Sequence, residues 1–290
     1  MVKIRDSKES LGCLMLLLAA IVWGFGVPIQ SISSKTLGAN TVVFFKALGA
    51  ILLIPISIKL KQNFTKETFT YGILMGVIMY FSNFCQQKGI ETSSAGKASF
   101  IIALYTVFVP VIGIIFFNKK TKSIVWLSVG IAFIGMYLLC INGEFALSVG
   151  DIWLLFGAIG FALQILIADK CVKKYDPIPI AAVQSLTMCF IAFIPMVTIE
   201  KPSLSSIANA WFFLLYPSLL CCCFGQTIQL VYQKYVEPTL LSLIMSLESV
   251  FGAIAGFLVL NERLSLKEVL GCVLIFIAVL IAIKAEEKKC

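Results

Sequence analysis

Ten runs of about 20 apolar residues, separated by short polar turns, make up nearly all of this chain, and each is long enough for a helix to cross the hydrocarbon core of a bilayer. They lie at 11 to 30, 40 to 58, 69 to 87, 96 to 117, 123 to 141, 150 to 169, 178 to 199, 208 to 230, 238 to 260 and 266 to 284. In hydrocarbon every backbone N–H and C=O must find its partner within the structure, so such runs are predicted as helices. With 290 residues, 60% of them hydrophobic and 13% charged, no polar stretch remains to fold as a domain outside the membrane. The segments Asn142 to Gly150 and Glu200 to Ala208 read as polar turns. Lys3, Arg5 and Lys8 ahead of Leu11 to Val22 resemble a signal peptide, but no small-x-small cleavage site follows, so this run is read as the retained first helix.

The chain repeats itself. Within the stretch from Pro238 to Arg263, shifting the numbering by 143 lays Thr239 to Arg263 over Gly96 to Lys120. Seven of the twenty positions from 99 to 118 then match, among them Leu104 with Leu247, Phe108 with Phe251 and Gly113 with Gly256, and Tyr105 falls opposite Glu248. A weaker register, with a shift of 138, sets Gly12 against Gly150 and Lys46 against Gln184. Two units of five spans are predicted, at residues 1–142 and 143–290. Five is odd, so the second unit enters the membrane from the opposite side, and the expected fold class is an all-α membrane protein of ten transmembrane helices in two inverted-topology five-helix repeats.

Charge sets the orientation. Of the 23 Lys and Arg residues, sixteen fall on the face that carries both termini, six on the other face, and Lys46 lies within a span. The positive-inside rule then places both termini in the cytoplasm, in a bacterial plasma membrane. Because the basic residues sit in short clusters between apolar runs rather than along one stripe, no nucleic-acid partner is expected. Most of the ten cysteines lie inside apolar spans and read as small hydrophobes, not disulfides. There is no histidine, which removes imidazole bases and the usual zinc sites, and no cofactor is expected.

Against this background the polar residues inside the spans carry the information, because amides and carboxylates cost free energy in hydrocarbon unless partnered or wetted. Span three carries Tyr80, Asn83, Gln86 and Gln87, whose three- and four-residue steps set Tyr80, Asn83 and Gln86 or Gln87 on one helix face, and span eight carries Gln226, Gln229 and Gln233. At the shift of 143, Asn83 meets Gln226 and Gln86 meets Gln229. Two readings stand: hydrogen bonds that hold the bundle together, or a polar cavity at the repeat interface. Glu248, in the middle of span nine, is either a structural partner, for instance of Lys46, or a cavity carboxylate that binds an amine or exchanges a proton. Lys46 lies about two turns from the end of span two and is expected to snorkel to the interface. Trp23, Gly24, Phe25, Gly26 and Pro28 in span one read as a kink or hinge, as does Pro110 in span four. Gln164 is the strongly polar residue in mid-helix of span six. Gly252 and Gly256 read as a close helix-packing pair, and Asn261 to Leu264 as a turn capping span nine.

The run SLESVFGAIAGFLVLNERLS resembles the second-repeat motif of the drug/metabolite transporter superfamily, EamA type, in which a helix with a Glu-Pro-Val-Phe core ends in a Gly-Glu-Arg-Leu turn. The likeness covers essentially the whole chain, including a basic residue in span two at Phe44-Phe45-Lys46-Ala47. It departs at Ser249 and Thr106, where the family has proline, at Asn261 for glycine, and at Asn118-Lys119-Lys120 for the acidic turn of the first half. The resemblance implies a ten-helix transporter of small solutes, often an exporter of amino acids or metabolites, with a central cavity. The residues already singled out, Trp23, Tyr80, Asn83, Gln86, Tyr105, Gln164, Gln226, Gln229 and Glu248, are then the substrate-binding candidates.

The function expected is secondary transport of a small amino-acid-like or amphipathic metabolite by alternating access, with export the expected direction, protons as a coupling ion, and a monomer or homodimer embedded in lipid. The rivals are an intramembrane enzyme acting on a lipid, which without histidine needs a carboxylate pair or a Ser/Lys arrangement, and a channel or receptor. No Gly-x-x-x-x-Gly-Lys phosphate loop occurs, so ATP-driven pumping is not expected.

Overall fold

A computed structural model describes residues 2–33, 36–92, 95–141, 148–260 and 265–287. The Asn261 to Leu264 turn and most of the turn from Asn142 to Gly150 lie outside the described residues. Among those described there are helices and turns but no strands, and ten helical spans are long and apolar enough to cross a membrane. Spans one to five are Ser7–Gln30, Ala39–Lys59, Lys66–Ile90, Ala98–Phe117 and Ser123–Cys140. Spans six to ten are Val149–Cys171, Pro177–Glu200, Leu204–Gln233, Pro238–Leu258 and Leu266–Ala285. Several begin on side chains that satisfy the first free backbone N–H groups, as where Ser148 and Asp151 form a capping box at the start of span six.

The surface is inverted relative to that of a water-soluble protein. Phe116, Phe156, Phe190, Leu258 and Phe276 point outward, whereas Asn83, Gln87, Gln164, Gln184, Gln226, Gln229 and Gln233 are buried. That is the arrangement hydrocarbon demands of its solute.

Spans from the two halves interleave. Span one crosses span nine and runs along span eight, span three packs against spans six and seven, and span four packs against span six. Spans two and seven lie side by side where these groups meet, and spans five and ten pack on each other. With no hydrophobic force between helices in lipid, close packing at small residues supplies much of the attraction. At the crossing of spans five and ten, a Cβ added to Gly271 would stand 2.6 Å from the Gly135 carbonyl oxygen and 2.7 Å from the Leu139 nitrogen. Backbone cannot swing aside, so Gly271→Ala is expected to lower stability by about 1–3 kcal/mol, read as a lower thermal midpoint in detergent.

The breaks in the helices are not where the sequence suggested. Span one remains helical through Pro28, within Val2–Ser33, and Pro110 sits inside the continuous helix Tyr105–Phe117. Instead span four divides at Leu104 and span nine at Ser246, immediately before the pseudo-equivalent residues Tyr105 and Leu247–Glu248. In span nine the cause is local. Ser242 and Ser246 turn their hydroxyls back onto the carbonyls of Thr239 and Leu243, at 2.8 and 2.7 Å, which diverts the helical ladder. Nothing in the structure explains the span-four break in the same way. Span eight carries a π-helical stretch, Pro217–Gln226, that faces span one.

Candidate functional site

The broken middles of spans four and nine, the π-helical stretch of span eight and the polar face of span three converge on one cavity of about 100 Å³. Trp23, Asn83, Gln86 and Tyr105 from the first half line it. Gln164, Gln226, Gln229 and Glu248 line it from the second. Tyr80 does not: its hydroxyl donates to Asn40 Oδ1 at 2.7 Å, on the far side of the Asn83 turn. Sharing a helix face with Asn83 did not bring it to the cavity, because Asn40 of span two captures it.

Lys46 is the main correction. It does not reach for the membrane surface but lines the cavity, where its ammonium donates to Asn83 Oδ1 at 2.8 Å and to Gln30 Oε1 at 3.3 Å. Asn83 is oriented for this by donating its own Nδ2 to the Met79 carbonyl at 2.8 Å. Two amide oxygens thus replace the water an interfacial ammonium would find. Gln30, which sequence reasoning missed, lies seven residues after Trp23 and so on the same helical face, a spacing that could have disclosed it.

Glu248 faces the same cavity. Among the described residues it accepts no hydrogen bond and makes no ion pair, and its charged neighbour is Lys46. The expected structural role as a partner of Lys46 is therefore absent, the Lys46 contacts being to amides. Three further cavity groups are buried without partners among the described residues: the Tyr105 hydroxyl, Gln164 Nε2 and Gln226 Nε2. Each is a buried hydrogen-bond donor, left without an acceptor, on a residue that lines the cavity.

The amides resolve into both readings the sequence left open. Gln229 Nε2 donates to Gln164 Oε1 at 3.3 Å, and Gln233 Nε2 donates to the Ile165 carbonyl at 2.5 Å, so these hold spans six and eight together. Gln86 and Gln226 present to the cavity. Trp23 does both, lining the space while its indole N–H donates to the Cys221 carbonyl at 2.9 Å. Met79, Ile102, Phe161, Ile165, Cys221 and Met245 complete the wall, apolar or nearly so and unremarked in sequence because such residues fill every span. At the lysine-rich end Asp169, 2% exposed, pairs with Lys119 of the span-four terminus and with Lys173. No group of three metal-ligating side chains occurs among the described residues.

A model of the EamA-like transporter family matches the chain twice, over residues 10–141 and 148–284. An uncharacterized transporter of Archaeoglobus fulgidus is 27% identical, over 92% of this chain and 83% of its own. An S-adenosylmethionine uptake transporter of Rickettsia prowazekii is 24% identical, over 90% and 89%. One crystal structure superposes with a TM-score of 0.80 at 12% identity, over 97% of this chain and 99% of that one, a likeness of fold.

Proposed function

The chain belongs to the EamA-like transporter family, and we propose that it moves a small solute bearing both an amine and an acid group across a bacterial plasma membrane by alternating access. The observation that carries this reading is the unpartnered Glu248 carboxylate sharing one intramembrane cavity with the Lys46 ammonium. A fixed anion and a fixed cation lining one cavity match a zwitterion, and Trp23, Tyr105 and Phe161 offer apolar contact to the remainder. The two five-span units are the units of exchange: with an odd number of spans each they are inverted copies, and broken helices at mid-membrane are what such transporters use to build a site. The lysine-rich face is the cytoplasmic one, with both termini.

Direction follows from competition. Glu248 can hold the amine of the solute or a proton, not both, so a proton bound from outside and released inside exchanges for solute leaving, which is export. Two relatives carry names for S-adenosylmethionine uptake, a solute that also carries an amino-acid group, so that compound belongs in the test.

The test is counterflow into proteoliposomes with radiolabelled amino acids and S-adenosylmethionine, with and without a pH gradient. Saturable exchange of one zwitterionic class, driven outward by an inward proton gradient, is expected. Exchange of no solute, or non-saturable leak, would refute it. Lys46→Gln keeps hydrogen-bonding capacity without charge and is expected to raise KM for the full zwitterion about tenfold while leaving KM for the decarboxylated amine nearly unchanged.

A further inference from the structure

Beyond the cavity, a second buried polar cluster lies where the lysine-poor ends of spans two and seven meet Tyr80 from the middle of span three, toward the outer face in the orientation proposed above. Helix Ala39–Leu48 starts after Gly38, which has no side chain to satisfy its first N–H groups. The cap comes from another span. Glu200, the last residue of span seven, accepts the backbone N–H of Asn40 at 2.7 Å and of Thr41 at 2.8 Å, and also Asn40 Nδ2 at 2.8 Å and Thr41 Oγ1 at 2.6 Å. A Cβ on Gly38 would stand 2.5 Å from Glu200 Oε2, so glycine is what admits the carboxylate. Asn40 in turn accepts the Tyr80 hydroxyl, and Asn40, Thr41 and Tyr80 are all buried. A carboxylate at a helix N-terminus with four donors is a strong local contact.

The opposite end of the same helix pair is fastened differently. There Asp176, before span seven, accepts the Asn63 N–H at 3.0 Å in an exposed contact. Among the described residues, four hydrogen bonds from buried residues at one end face a single exposed one at the other. The strong end is also next to the cavity: Lys46 follows Thr41 by five residues on span two, and Tyr80, held by Asn40, lies one turn from Asn83 on span three. Withdrawing the outer end of span two would break the Glu200 contacts and pull Lys46 from Asn83 in one movement.

We propose that Glu200 is the outer latch of the transport cycle, a positioning residue that holds the described conformation closed to the outside and keeps Lys46 on Asn83. The proposal rests on the alternating-access reading and its orientation. For the cavity to open outward, span seven must release the start of span two, while the weaker Asp176 contact leaves the inner end freer to part.

The experiment uses Cys221, a cavity-lining thiol, as a reporter in the full chain. A charged, membrane-impermeant methanethiosulfonate is applied to one face at a time, modification of Cys221 is followed by peptide mass spectrometry, and Cys221→Ser serves as the blank. Glu200→Ala is expected to speed labelling from the outer face about tenfold and to slow it from the inner face, as loss of a charge-assisted contact shifts the population outward. General loosening would instead raise both rates together. Asn40→Ala with Thr41→Val, which removes two donors and leaves the backbone, is expected to give an intermediate one-sided rise and decides the matter should Glu200→Ala not fold. An unchanged outer rate, or an equal rise from both faces, overturns the latch. Counterflow on the same preparations separates the two ideas: exchange with no one-sided change overturns the latch alone, whereas one-sided labelling without exchange of any solute upholds the latch and overturns the transported class.

Discussion

Glu248→Gln protein is expected to fold with near-normal stability and to lose exchange of amine-bearing solutes by about 10- to 100-fold, the loss of one charge-assisted contact in a site shielded from water. Glutamine keeps the volume and shape of glutamate, so packing is retained and only charge is removed. Because the carboxylate has no hydrogen-bond or ion-pair partner among the described residues, its substitution orphans no neighbour, which sets it apart from the breaking of a structural ion pair. The pH profile gives a second reading with a definite sign. Wild-type exchange of an amine needs the ionised carboxylate and falls as pH is lowered through its protonation, whereas the Gln variant, having no proton to take up, is flat over the same range. Unchanged exchange in Glu248→Gln at every pH would make the residue structural and move the amine site elsewhere.

Gly24→Ala is expected to impair stability and exchange together. An added Cβ would lie 2.5 Å from Phe251 Cβ, 2.7 Å from the Glu248 carbonyl oxygen and 2.9 Å from the Gly252 nitrogen. Two of these three are backbone, so the helices themselves must separate, at about 1–3 kcal/mol. Separation moves the segment that carries Glu248, so exchange should fall together with the thermal midpoint. Gly252→Ala is the matched control. Its Cβ would meet the Gly24 carbonyl oxygen at 3.5 Å, an ordinary contact, and both stability and exchange should stay near wild type. Equal effects of the two substitutions would show that the crossing of spans one and nine is not as close as described.

This pair of glycines illustrates what a sequence can and cannot disclose. Gly252 and Gly256 stand out as a small-residue pair, but the tight side of the contact is Gly24, which had read as part of a hinge with Pro28. A glycine serves close approach and flexibility equally well, and only the position of the partner distinguishes them. The helix breaks carry the same lesson. Proline in spans one and four drew attention, yet both helices run through it, while Ser246 turns its hydroxyl onto Leu243 and ends the first half of span nine. A serine in a transmembrane helix signals either, according to where its hydroxyl finds an acceptor.

By itself the sequence determined the number and approximate limits of the spans, the duplication and the class of fold. These depend on length and composition along one dimension, and hydrocarbon enforces them without regard to which helix neighbours which. It also named eight residues that line one cavity, since a polar side chain at mid-membrane must face protein or water. Tertiary structure alone decided direction and partnership. Lys46 could have climbed to the interface but meets two amide oxygens inward, Tyr80 is captured by Asn40, and Glu200 caps a helix 160 residues away in the chain. Each of these depends on which helix stands beside which and at what rotation, a property of the assembled bundle that no single span contains.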